Sequence, residues 1–152
     1  MFSFVVESEP VVIDAPVEFV WNIILDAERY GEWNPFTPRI DTDFAPGSPI
    51  HMHVPLGALT LKLTETIQNV EPPLRIAWGK DFGARALLTA CKTQHLTPID
   101  DKSCSYHTTD RMAGLLAPFV RLFFARWVLR GFDDTGRALK QRAEAMASSS
   151  TS

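Results

Sequence analysis

The fold depends on residues 115–147, which read LLAPFVRLFFARWVLRGFDDTGRALKQRAEAMA. Apolar side chains recur through this stretch at helical spacing, and Pro118 stands where a helix can begin, because first-turn N–H groups have no partner within the helix. We therefore predict one long helix of about 45 to 50 Å. A helix of this length cannot bury its apolar face alone, so it must pack against a sheet.

The sheet is predicted from the residues before this helix, where apolar side chains alternate with polar ones. Candidate strands cover residues 3–13, 39–44, 49–54, 59–70, 74–79, 86–97 and 103–112. Short connections with proline or glycine favour antiparallel hairpins between them. Two short helices are expected after the first strand, since Val17, Val20, Trp21 and Ile24 share one helical face and a second helix ends at Gly31. The pattern predicts an α+β fold, in which a curved antiparallel sheet of about seven strands wraps around the long C-terminal helix.

The composition limits the class of protein. The chain has 152 residues, enough for one domain, which we expect to span residues 1–147 with a disordered tail at 148–152. A net charge of -3 without a basic stripe argues against nucleic-acid binding.

Cys91 and Cys104 form neither a disulfide framework nor a zinc motif, so we expect a reducing, cytoplasmic compartment and no cofactor. No signal peptide is expected, and three arginines in residues 114–132 argue against a transmembrane segment.

Four segments together resemble a known superfamily. They are APVEFVWNIILDAERYGEWNPF at 15–36, VEPPLRIAWG at 70–79, TTDRMAGLLAP at 108–118 and GFDDTGRALKQRAEA at 131–145. Their order and spacing resemble the START-like superfamily, also called SRPBCC, and its polyketide cyclase/dehydrase-like branch in particular. The resemblance implies a helix-grip fold with a deep, mostly apolar cavity between the sheet and the C-terminal helix. Members bind lipids, sterols, polyketides or plant hormones, and some are ring-cyclising enzymes, so the fold does not select one function.

The alternation of side chains predicts which residues face this cavity. In 49–54, Ile50, Met52 and Val54 should point inward, with His51 and His53 outward. His51 and His53 form half a metal site without a third ligand, so no metal is predicted. In 74–79 the inner set is Leu74, Ile76 and Trp78.

The last hairpin makes a more specific prediction. With its turn near 98–102, Leu96 should pair with Tyr106, Gln94 with Thr108, and Lys92 with Asp110. Lys92 and Asp110 should then form an ion pair, because either charge buried alone is costly. Five polar residues therefore face the cavity: Lys92, Gln94, Tyr106, Thr108 and Asp110. They either orient a ligand or consist of a structural ion pair with solvated polar groups at the mouth of the cavity.

The candidate ligand-binding residues combine this set with aromatic and apolar neighbours. Trp33 and Phe36 lie on a proline-rich loop and either close over the cavity or plug the core. The complete set is Trp33, Phe36, Met52, Trp78, Lys92, Gln94, Tyr106, Thr108, Asp110, Met112, Phe123 and Phe132. The candidates for catalysis are Asp110 or Tyr106 as acid–base group and Lys92 as oxyanion stabiliser.

Three functions remain open. The first is binding of a small hydrophobic ligand, ring-containing or acyl. The second is a cyclase or dehydratase reaction that uses the acid–base candidates. The third is a protein-interaction module that resembles the client-chaperone branch, and the exposed part of the long helix could also form a homodimer.

Overall fold

The computed structural model describes residues 2–84 and 86–150, and the last two residues of the predicted tail lie outside this range. The elements in chain order are β1 (Ser3–Glu7), β2 (Val11–Ile13), α1 (Val17–Ile24), a 3-10 helix (Ala27–Glu32), β3 (Arg39–Asp41), β4 (Pro49–Leu56), β5 (Leu59–Glu71), β6 (Arg75–Asp81), β7 (Thr89–Asp100), β8 (Ser103–Ala113) and α2 (Ala117–Ser150). Within these residues the strands form one antiparallel sheet in the order β1-β8-β7-β6-β5-β4-β3, and β2 also pairs with β8. The predicted helix-grip arrangement is confirmed.

The first predicted strand, residues 3–13, is divided in two. Pro10 has no N–H to donate to a sheet, so the chain leaves the ladder there. Ser8, between the two parts, keeps the chain hydrogen-bonded to β8. Its N–H donates to the Thr108 carbonyl at 2.9 Å, and its hydroxyl accepts from the Thr108 N–H at 2.8 Å. Both halves therefore still pair with β8, on either side of this point.

The predicted register of the last hairpin is confirmed, because β7 and β8 pair Leu96 with Tyr106, Gln94 with Thr108 and Lys92 with Asp110. The alternation in β4 is confirmed as well, since Ile50, Met52 and Val54 are buried. Leu74 was placed wrongly. It precedes β6 and is exposed, because the chain is still in the turn after β5 at this position.

The core occupies only one half of the inner face of the sheet. There α1 and the C-terminal half of α2 pack closely on the strands, and Ile13, Ile24, Tyr106, Leu139 and Ala143 have almost no accessible surface. The N-terminal half of α2 begins at Ala117, two residues after the predicted start, and covers the other half of the sheet. None of the helices in the described ranges has an apolar stretch that could span a bilayer.

Candidate ligand-binding site

A cavity of about 300 Å³ lies between the N-terminal half of α2 and the half of the sheet that the core leaves uncovered. Most of its wall is apolar. It is lined by Phe36, Thr37, Met52, Val54, Leu61, Leu63, Glu65, Trp78, Phe82, Leu88, Ala90, Lys92, Asp110, Met112, Val120, Phe124, Trp127, Val128 and Phe132. The interior is thus incompletely filled on the side where the resemblance implies a cavity.

Three ionisable side chains enter this apolar space from three strands. Glu65 follows Leu61 and Leu63 at alternate positions of β5, which places all three on the inner face. Lys92 of β7 pairs with Asp110 of β8, so these two side chains also share that face. We call Glu65, Lys92 and Asp110 the charged cluster.

Burial weakens the acidity of both carboxyl groups. Loss of solvation raises the pKa of Asp110 from 3.8 to about 6, although the Lys92 charge opposes the shift. The pKa of Glu65 rises from 4.5 to about 7, first through loss of solvation and then through repulsion by Asp110, with Lys92 and Lys80 opposing. At neutral pH, Glu65 is therefore close to its midpoint and can either give or take a proton.

Lys92 sits among aromatic rings. Its Nζ lies 5.0 Å from the ring centre of Phe132, 5.2 Å from that of Trp78 and 5.9 Å from that of Phe36. Burial lowers the pKa of Lys92, while Asp110 and Glu65 raise it in part. The faces of the rings stabilise the ammonium group and hold it at the inner end of the cavity.

The expected ion pair between Lys92 and Asp110 is not formed in the described part of the chain. The two residues are cross-strand neighbours, but Asp110 Oδ1 is buried without a hydrogen-bond partner. The Lys92 amino group lies instead over the rings of Phe132, Trp78 and Phe36. Because buried polar atoms are normally satisfied, Asp110 has spare hydrogen-bonding capacity that a ligand in the cavity could use.

The predicted site residues divide into two groups. Those that line the cavity are Phe36, Met52, Trp78, Lys92, Asp110, Met112 and Phe132. Those that the structure places elsewhere are Trp33, Gln94, Tyr106, Thr108 and Phe123. Phe123 is on the solvent side of α2, since its neighbours Val120, Phe124 and Trp127 occupy the cavity side.

Tyr106, Gln94 and Thr108 form a closed hydrogen-bond network in the packed half of the interior. The Tyr106 hydroxyl donates to Gln94 Oε1 at 2.8 Å and accepts from the Thr108 hydroxyl at 2.9 Å. All three residues are buried, and burial raises the pKa of Tyr106 far above its ordinary value. They share the inner face with the charged cluster but lie farther along the strands, under the packed part of α2, so Tyr106 has a structural role.

Replacing Tyr106 with Phe should lower the free energy of unfolding by about 1 to 2 kcal/mol, because the buried amide and hydroxyl of Gln94 and Thr108 lose their partner. Urea denaturation monitored by tryptophan fluorescence measures this loss. Ligand binding in the cavity should not change. Impaired binding in a folded Tyr106→Phe protein would contradict the structural role.

The loop before β3 carries Phe36 into the cavity but turns Trp33 away from it. Asn34 Oδ1 accepts hydrogen bonds from the Phe36 and Thr37 N–H groups at 3.0 and 2.8 Å, which fixes the turn. Phe36 then packs edge-on against Trp127 and Phe132, with ring centres 5.3 and 5.9 Å away. Trp33 instead contacts Tyr30 at 5.0 Å, within the core beside the 3-10 helix.

Gly131 of α2 lets this loop approach the helix. A Cβ at this position would lie 2.2 Å from Cδ2 of Phe36. We expect Gly131→Ala to push Phe36 aside and to cost about 1 kcal/mol or more, even though alanine favours the helix. Gly136→Ala is the matched control, because its Cβ would meet Val11 Cγ2 only at 3.2 Å. Equal stability of the two variants in thermal denaturation would contradict the proposed role of Gly131.

The histidines form no metal site in the described ranges, where no group of three or more histidine, cysteine or acidic residues has metal-binding geometry. His51 is on the outer face and shares a hydrogen bond with Thr64 at 2.9 Å. His95 and His107 pair between β7 and β8, and their rings stack on the outer face with centres 4.5 Å apart.

Glu65 was absent from the predicted site. The signal was present in the sequence, since Leu61, Leu63 and Ile67 alternate around Glu65 and fix its face. A carboxylate on the inner face of a strand requires either a structural partner or a ligand. The alternation in β5 was therefore enough to identify Glu65 as a candidate site residue.

The sequence profile of a family described as polyketide cyclase / dehydrase and lipid transport matches residues 1–144. Among curated proteins, no sequence matches this chain.

Three solved structures illustrate the fold. The Zhui aromatase/cyclase from Streptomyces sp. R1128 has a TM-score of 0.76 and 18% identity, over 94% of each chain. Norcoclaurine synthase from Thalictrum flavum, a point mutant with a transition-state analogue, has a TM-score of 0.71 and 13% identity, over 96% of this chain and 97% of that one. A START superfamily protein from Mycobacterium smegmatis has a TM-score of 0.70 and 16% identity, over 93% and 98%. At these identities the similarity shows the fold alone.

Proposed function

Because this chain belongs to the polyketide cyclase / dehydrase and lipid transport family, we propose that it binds a small, ring-containing hydrophobic ligand in the cavity under α2. The main support for this proposal is the charged cluster in an otherwise apolar wall, where Asp110 Oδ1 is buried without a hydrogen-bond partner. A few convergent polar groups in an apolar pocket are typical of small-molecule sites.

The dimensions and charges restrict the ligand class. A volume of about 300 Å³ is at the lower end of the range for small-molecule pockets, which favours one or two rings over a sterol. The aromatic residues that surround Lys92 can pack against a ring. A hydroxyl or carbonyl group on that ring would reach Asp110 or Lys92 at the inner end. We therefore favour phenols and aromatic ketones over fatty acids.

Thermal-shift assays test this proposal with four sets of compounds: fatty acids, sterols, flavonoids and small aromatic polyketides. We expect stabilisation by the ring compounds with one or two rings, and a smaller shift in Asp110→Asn. If no compound of any of the four sets raises the melting temperature, the binding proposal is lost. Stabilisation by fatty acids alone would replace the ring-containing class with the acyl class.

A cyclase or dehydratase reaction is the second candidate, and Glu65 favours it because its pKa of about 7 suits proton transfer at neutral pH. Glu65 would remove a proton from the carbon beside a ligand carbonyl, and Lys92 would stabilise the enolate oxygen that forms. Asp110 in its protonated form would give its proton to a departing hydroxyl, which leaves as water. The net change is loss of one water molecule, which balances without an oxidant or reductant.

Turnover of β-hydroxy aromatic ketones distinguishes this candidate from simple binding. We expect Glu65→Gln and Lys92→Met each to lower kcat by about a hundredfold or more while the ligand still raises the melting temperature. Tyr106→Phe is the control with turnover unchanged. Unchanged turnover in both cluster variants would exclude the assigned roles, and absence of turnover in the wild type would leave binding as the function.

A further proposal concerns the compartment in which the protein occurs. The free cysteines Cys91 and Cys104 favour a reducing compartment, and we propose the cytoplasm. The protein-interaction module and the homodimer are alternative uses of the exposed side of α2.

A further inference from the structure

The N-terminal half of α2 and the residues before it expose an unusual amount of apolar surface. Leu115 is 64%, Phe119 56%, Leu122 76% and Phe123 62% exposed. Phe119 and Phe123 contact each other, with ring centres 4.6 Å apart. We call these four residues the apolar patch. Single exposed apolar residues are normal, but a contiguous group on one helix indicates a binding surface.

The charged residues of the segment that carries the apolar patch all have one sign. Residues 111–132 contain Arg111, Arg121, Arg126 and Arg130 but no aspartate or glutamate, although the whole chain has a net charge of -3. Arg126 follows Leu122 by four residues, so it extends the same face of the helix. Arg121 and Arg126 also line an open groove between β1 and α2, beside Phe2. Neither arginine forms an ion pair with the described residues.

We propose that this face of α2 docks on an anionic lipid membrane, with the apolar patch in the interface and the arginines on lipid phosphates. Residues 117–132, the first part of α2, combine Leu and Phe with arginine and contain no acidic residue, which is the chemistry for such binding. A second copy of the chain fits less well, because a two-fold contact would bring the same arginines together without compensating carboxylates.

The docking face lies on the same turns of α2 as part of the cavity wall. Val120 and Phe124 line the cavity, and Phe124 is also partly exposed. Membrane docking would place this end of α2 against the bilayer, where hydrophobic ligands partition. The inference rests on the exposed face and does not require a particular cavity ligand.

Co-sedimentation with vesicles tests the proposal. We expect binding to mixed phosphatidylcholine–phosphatidylglycerol vesicles at low salt, and little binding to phosphatidylcholine alone. Leu122→Glu should weaken binding by about tenfold or more, and Arg126→Glu/Arg130→Glu, whose arginines follow Leu122 at intervals of four residues, by a similar factor. Ile99→Glu is the matched control: Ile99 is 54% exposed, and it lies at the other end of β7, about 30 Å from the strand end that adjoins α2.

Light scattering of the same variants tests whether a second copy of the chain covers this face instead of a membrane. We expect a monomer in the wild type and in Leu122→Glu. A dimer that dissociates on Leu122→Glu, without vesicle binding by the wild type, would assign the face to a second copy and overturn the proposal. It would also be overturned if Ile99→Glu weakened binding as much as Leu122→Glu does. Thermal shifts by cavity ligands are measured without vesicles, so failure here is distinguishable from failure of the proposed function.

Discussion

The free energy of unfolding should fall by about 4 kcal/mol between pH 5 and pH 8, because Glu65 and Asp110 lose protons that the folded state holds more tightly. Their pKa values rise on folding, from 4.5 to about 7 for Glu65 and from 3.8 to about 6 for Asp110. The folded state therefore binds more protons than the unfolded state across this range. The stabilisation from these two groups is complete below their unfolded pKa values and declines until both folded pKa values are passed.

The control for this prediction is the double variant Glu65→Gln/Asp110→Asn, which has no carboxylates in the cavity. Urea denaturation from pH 5 to pH 8 should give a much flatter stability profile for the variant. His95 acts in the opposite direction, since burial, His107 and Arg75 lower its pKa and it destabilises the fold as the pH falls through 6.5. It is present in both proteins, so subtracting the two profiles removes it.

Two neighbouring lysines also affect how steeply the free energy of unfolding changes with pH. Lys92 faces both carboxylates, and Lys80 interacts with Glu65. Adding Lys92→Met to the double variant measures the lysine contribution directly. A wild-type profile that is as flat as that of the double variant would contradict the burial of these carboxyl groups.

Enlarging a side chain inside the cavity should cost almost nothing, whereas the same change in the packed core should be expensive. Ala90 lines the cavity, so the added atoms of Ala90→Leu enter empty space. Ala143 has no accessible surface and lies in the core of α2, so Ala143→Leu should lower the free energy of unfolding by about 1 to 3 kcal/mol.

Ala90→Leu should also abolish the thermal shift produced by any cavity ligand. The two effects together distinguish a void from a filled interior, because only a void accepts the side chain and then excludes the ligand. Destabilisation of Ala90→Leu to the level of Ala143→Leu, as measured by urea denaturation, would show that the space under α2 is closed in solution.

Local patterns were sufficient to predict the architecture. The apolar spacing of residues 115–147 fixed the long helix, and strict alternation fixed the faces of β4 and the register of β7 with β8. The same parity argument would have identified Glu65 in β5. These successes share a cause, because side-chain direction in a strand or helix follows from position alone.

The division of the inner face into a packed half and an open half could not be predicted from parity. Gln94 and Lys92 share a face of β7, but Gln94 is buried in the hydrogen-bond network of Tyr106 and Lys92 lines the cavity. Which of them is covered depends on where the helices cross the sheet. The missing ion pair of Lys92 has a similar origin, since it depends on rings from β6, α2 and the Phe36 loop that meet only in the folded protein.

Calorimetric titration with 2-naphthol measures whether the cavity binds a ring compound, because this molecule combines two fused rings with one hydroxyl group. We predict saturable binding at one site per chain in the wild type, weaker binding in Asp110→Asn and none in Ala90→Leu. If 2-naphthol binds Ala90→Leu as tightly as it binds the wild type, the ligand does not occupy the space beside the charged cluster, and the account is contradicted.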